Sequence, residues 1–156
     1  MGSLSLSFIF RDGRRDIPDC LRHQEVSNVY VEFLQTASEG TPVEEANMAA
    51  NHCVIKADFF PGRCSFGGVR LNMSVVYRNG EPVDSPQDGP TCVLGEFIVK
   101  AVTLIGVSRR TARTCQIDFM QGLTLDDLLS QIETKGLHHF CFVEIDEKYF
   151  GCRDFM

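Results

Sequence analysis

His138, His139 and Cys141 stand together near the end of the chain, and Cys152 would lie near them across a final hairpin. Imidazole nitrogens and thiolates are zinc donors, and a structural zinc needs four of them in a tetrahedron. Strand alternation puts His139 and Cys141 on one side and His138 on the other. No C-x-x-C pair occurs anywhere in the chain. Buried thiols beside a surface histidine pair explain the same residues. The expectation is therefore no metal and no cofactor, with His139, Cys141 and Cys152 as the weak candidates.

Cys64 follows Arg63 in a glycine-rich turn, and a neighbouring cation can lower a thiol pKa. Nucleophilic catalysis also needs a base and an orienting group, and no local signature supplies either. The stretch over 62–68 lacks the Gly-Lys-Ser/Thr ending of a phosphate loop. Ser65 lacks the glycine two residues before it that a nucleophile elbow requires. The carboxylate pairs Glu44-Glu45 and Asp126-Asp127 both fit helix starts, where the dipole favours them without any catalytic role.

Two arginine clusters remain. Arg11, Arg14 and Arg15 are interleaved with Asp12 and Asp16, which suits a solvated turn. Arg109, Arg110 and Arg113 have no acid within their turn. Guanidinium groups in exposed turns can contact the phosphates of RNA or of lipid headgroups. Arg14, Arg15, Arg109, Arg110 and Arg113 are the candidate phosphate or partner contacts.

The elements that must position these residues are clearest in the second half. Residues 97–107 are apolar on both faces, as in a central strand. A polar tip over 108–113 leads to a returning strand with Cys115, Ile117 and Phe119 inward, so the pair reads as a hairpin. Thr124 and Asp127 have capping-box spacing, and Leu123 and Leu128 have that of a hydrophobic staple. Leu125, Leu128, Leu129 and Ile132 form one stripe, and Gly136 is the stop. Strands over 140–145 and 149–152 follow, joined by Asp146 and Glu147.

In the first half, serines alternate with Leu4, Leu6 and Phe8 in a strand over 3–10. Pro18 and Asp19 announce a helix. Val26, Val29, Tyr30, Phe33, Leu34 and Ala37 recur at helical spacing and predict a helix over 26–37. A shorter helix is expected over 43–50. Strands are expected over 53–59 and 69–77, on either side of a glycine-rich turn. Asn79-Gly80 is a hairpin-type signal, but the prolines after it point to an exposed loop over 81–90. The fold class expected is α+β: one domain over 1–156, a mixed and mostly antiparallel sheet with two or three helices packed on it.

The chain has 156 residues and a formal net charge of −6, which argues against bulk attraction to nucleic acid or acidic membranes but leaves room for local basic patches. No apolar run reaches the length of a membrane span. The N-terminus lacks a signal-peptide core, and Leu6 stands where a myristoylation motif wants Ser or Thr. Seven scattered cysteines without an export signal imply reduced thiols and an intracellular, cytoplasmic setting.

Two resemblances rest on element order. The run from Gln116-Ile117-Asp118-Phe119 through Leu125-Asp126-Asp127-Leu128-Leu129 to Phe142-Val143-Glu144-Ile145 resembles a β-grasp unit, which implies an adaptor that binds a protein partner. Over most of the chain, the strand at 3–10, the helix at 26–37, the helix at 125–135 and the strands at 140–144 and 149–155 resemble the matrix proteins of rhabdoviruses. The short plant-virus members are nearest in size. That resemblance implies a structural protein of the virion that self-associates, condenses nucleocapsid and binds membrane, without enzymatic activity. The chain departs from the family in lacking a lysine-rich N-terminal arm and a Pro-Pro-x-Tyr motif, and in its acidic charge. A non-enzymatic assembly protein is thus the first expectation. A β-grasp-like adaptor is the second, and a small cysteine- or zinc-dependent enzyme the third.

Overall fold

The computed structural model describes residues 6–34, 52–85, 92–145 and 148–150. In chain order its elements are β1 (Ser7–Ile9), a 3-10 turn (Arg14–Asp16), α1 (Asp19–Arg22), β2 (Val26–Leu34), β3 (His52–Phe59), β4 (Gly68–Val75), β5 (Tyr77–Arg78), β6 (Glu81–Pro82), β7 (Cys92–Val102), β8 (Thr111–Ile117), α2 (Leu125–Thr134), β9 (Cys141–Ile145) and β10 (Lys148–Phe150).

Alternation builds one eight-stranded sheet in the order β10-β9-β7-β4-β3-β2-β8, with β1 also paired to β7. Every pairing within it is antiparallel. The fold is sheet-dominated with few helices, so α+β describes it only loosely. Val69, Leu71 and Met73 on β4 share a face with Ala57 on β3 and with Phe97, Val99 and Ala101 on β7. That face is the core, and Leu125, Leu129 and Ile132 of α2 join it together with Phe10, Ile17 and Leu21.

Helix α2 forms where its local signals place it. The Asp127 amide donates to Thr124 Oγ1 at 3.2 Å, and the Thr124 amide donates to Asp127 Oδ2 at 2.8 Å, completing the capping box. Gly136 stops the helix at φ 65°, in the left-handed region that a β-carbon disfavours. Thr124→Ala is expected to cost about 1 kcal/mol in urea unfolding. No measurable loss would mean that core packing alone holds the helix start.

Several expectations are corrected. The helix expected over 26–37 is instead strand β2 in its described part, so the matrix-protein resemblance loses one of its elements. Residues 97–107 do not make a hairpin with 111–117. Strand β7 ends at Val102, and β8 pairs with β2, three strands away. As an edge strand, β8 leaves Cys115 and Ile117 exposed rather than inward. Strands β8 and β9 consequently lie towards opposite ends of the sheet, which separates the strands that a β-grasp unit would hold together.

Residues 81–85 are not a free loop either. Asn79 and Gly80 both take positive φ between β5 and β6, the geometry of a tight hairpin turn. Beyond it, Asp84 bridges to Val93 and Ser85 is buried. The rest of that loop, the helix expected over 43–50 with Glu44 and Glu45, and Cys152 lie outside the described residues.

Candidate functional site

Of the first arginine cluster, Arg14 is structural. Arg14 donates from Nε to Glu133 at 2.8 Å and from a terminal nitrogen to Asp126 at 2.8 Å. Arg22 reaches the other Asp126 oxygen at 2.7 Å and also pairs with Asp19. These bonds clamp the segment before β2 onto α2. They hold Glu133 below its ordinary value and raise Arg14 and Arg22 above theirs. Arg14 is therefore committed, while Arg15 is exposed.

The histidine pair is a packing feature. His138 and His139 have ring centroids 3.8 Å apart, and His138 meets Phe10 edge-on at 5.1 Å. Among the described residues no three of His, Cys, Asp or Glu converge on one point. Cys64 is half-buried against the core, and its sulfur accepts from the Phe66 amide at 3.5 Å.

Arg109 and Arg110 of the second cluster lie on a segment that does more than turn the chain. To reach the edge beyond β2, the chain after Val102 must cross the face of the sheet opposite the core. Residues 103–110 make that crossing, over a face that carries charge. Lys56 on β3 stands directly across from Arg70 on β4, and Arg70 directly across from Lys100 on β7. Three cations thus form a row across three neighbouring strands, about 10 Å from end to end. Tyr30 on β2 continues the row, its phenol pushed up by burial and by the nearby Asp58 and Glu32.

Two buried acids tie the crossing segment down. Asp58 accepts from Lys56 Nζ at 2.7 Å and from the Gly106 amide at 2.7 Å. Lys56 also donates to the Gly106 carbonyl. Glu32 accepts from the Ser108 amide at 2.7 Å and from Ser108 Oγ at 2.6 Å. Arg70 donates to Ser108 Oγ at 2.6 Å, but its Nε is buried without a partner. Among the described residues, neither Arg70 nor Lys100 has an ion pair.

Beneath and beside the crossing lies a cavity of about 800 Å³. Among the described residues, its lining includes five Lys or Arg side chains (Lys56, Arg70, Lys100, Arg109 and Arg110) and no Asp or Glu. Such a concentration of one sign runs against the chain's net charge. Arg113 does not belong to it, since on β8 it pairs with Phe33 and shares the opposite face. Around the cavity, Leu104, Ile105 and Val107 are 70%, 54% and 47% exposed. No family model, no curated protein and no solved structure matches this chain.

Of the five cations lining the cavity, sequence reasoning singled out Arg109 and Arg110 but not Lys56, Arg70 or Lys100. Lys56 and Lys100 each interrupt an apolar strand, and that was the available signal.

In the cavity lining, His52 is held below the ordinary imidazole value of 6.5 by burial and by Arg70. His138 is lowered by burial and by His139. Both imidazoles are favoured neutral in the folded chain, so the unfolded chain takes up protons first as pH falls. The imidazoles' contribution to stability is therefore complete above pH 6.5 and declines on acidification below it. The depressed carboxyls of Glu133 and Asp127 add the same sign below about pH 4.5 and 3.8. Urea midpoints at pH 7.5 and 5.5 should show the drop, and a higher midpoint at pH 5.5 would contradict it.

Proposed function

We propose that this chain is a non-enzymatic interaction protein that docks on acidic membrane surfaces through residues 103–110 and assembles there, as the matrix-protein resemblance implies. The observation that carries the reading is one exposed segment with three large apolar side chains followed at once by Arg109 and Arg110. Apolar side chains enter the headgroup boundary, while the arginines meet anionic lipid at about 1 kcal/mol each. The acidic remainder of the surface is repelled, which orients the molecule with this segment down.

Co-sedimentation with phosphatidylserine-containing vesicles should exceed that with phosphatidylcholine alone and should weaken as salt rises. Leu104→Ser with Ile105→Ser removes up to roughly 3 kcal/mol of apolar insertion, so binding should fall by tenfold or more. Absence of vesicle binding at low salt, with binding to RNA instead, would replace the membrane with a nucleic-acid partner. Assembly is tested by light scattering with and without vesicles. A strict monomer at high concentration in both conditions would remove that half of the reading.

An adaptor reading is favoured by a different observation. Among the described residues, the outer edge of β8 has no strand partner. A single host protein bound stoichiometrically along that edge would favour it.

A further inference from the structure

We infer that the cavity beneath residues 103–110 is a binding site for a phosphate-bearing ligand, held by Arg70 and Lys100 with Arg109 and Arg110 at its rim. The cation row provides the argument. Like charges directly opposite one another on neighbouring strands oppose folding. Lys56 is neutralised by Asp58, but Arg70 and Lys100 face each other, and neither has an ion pair among the described residues. Arg70 further holds a buried Nε–H without an acceptor, while one terminal nitrogen is fixed by Ser108.

An immobilised guanidinium with an unused donor, beside a second cation in a cavity that no described Asp or Glu lines, lacks an anion with several acceptor oxygens. Phosphate fits that need better than a single carboxylate, because it can accept from Arg70 and Lys100 at once. The row's length also leaves room for a second phosphoryl group. Apolar walls from Leu34, Ile105 and Val107 suit a ligand whose remainder is greasy.

The ligand could be a lipid phosphomonoester headgroup or a free soluble phosphate. Only the first source rests on the membrane-docking reading; the site itself does not. Isothermal titration with inorganic pyrophosphate should show saturable one-to-one binding, weakened about tenfold or more by Arg70→Gln and by Lys100→Gln. Arg78→Gln, which removes the same charge from the exposed β5 hairpin, should leave it unchanged. Lys100 makes no ion pair among the described residues, so Lys100→Gln keeps the test open should Arg70→Gln fold poorly.

In parallel, vesicles containing phosphatidic acid are compared with phosphatidylserine vesicles of matched charge. A phosphatidic acid preference lost in Lys100→Gln supports the site with a lipid source. Pyrophosphate binding without that preference supports it with a soluble source. Pyrophosphate binding without any vesicle binding keeps the site and ends the membrane reading. No pyrophosphate binding, or equal binding by all variants, together with no phosphatidic acid preference overturns the site, whether or not vesicles bind.

Discussion

Asp58→Ala is expected to lower the free energy of unfolding by roughly 3–5 kcal/mol, because it leaves a buried ammonium group without its counter-charge. The side chains of Lys56 and Asp58 are 3% and 0% exposed, at 2.7 Å separation. The substitution also removes the acceptor of the Gly106 amide, one of the anchors of the crossing segment. Two consequences should appear together: a lower urea midpoint and weaker vesicle binding, since Leu104 and Ile105 lose their fixed presentation. Asp58→Ala combined with Lys56→Met should recover much of the stability, because a buried ion pair replaced by apolar volume is often neutral. A loss below about 1 kcal/mol for the single substitution would show that Lys56 reaches water unaided.

Phe97→Ala should cost a similar amount, about 3–5 kcal/mol, for a different reason. Phe97 is among the largest side chains fully enclosed by the core, and its ring meets Phe10 edge-on with centroids 5.8 Å apart. The Phe10 amide donates to the Phe97 carbonyl at 2.8 Å, so the two residues are joined by backbone and by ring. Removing the ring leaves a void that a packed sheet cannot collapse around, and it loosens the segment that Phe10 introduces. Amide exchange over 11–22 should quicken more than exchange in β3 and β4. Uniform quickening would indicate that the Arg14 and Arg22 clamp holds the segment regardless of Phe10. Phe97→Leu, which keeps apolar volume, should cost markedly less.

Helix α2 was legible because its information is local: a cap, a stripe and a stop within a dozen positions. Strand β4 was legible because it alternates without interruption. Strand β2 was not, and the reason is specific. A bulge between Val26 and Asn28 shifts the alternation, and Glu32 is buried on the face opposite Val29. Val26 and Val29 are both buried in the core, three residues apart, and with Tyr30, Phe33 and Leu34 their apolar spacing imitates a helix. The β-branched and aromatic content of that stretch was the contrary signal.

The hairpin expected from residues 97–119 failed because a short polar connection does not reveal whether it reverses the chain or carries it across a face. The same ambiguity hid the site. From sequence, Arg70 can be assigned to the polar side of its strand, and Lys100 to the face opposite Phe97, Val99 and Ala101. That they stand opposite each other depends on pairing register, which neither segment encodes alone.

The pairing of β2 with β8 has a consequence for how the chain reaches its native state. Strand β3 can join β2 early, but the other flank of β2 stays open until residues 111–117 arrive, after β3, β4 and β7 have been made. Such high contact order implies folding in milliseconds to seconds rather than microseconds. During synthesis, a nascent chain that stops short of β8 presents an unfinished strand to its neighbours, so polysome-bound fragments are where chaperone engagement should be heaviest.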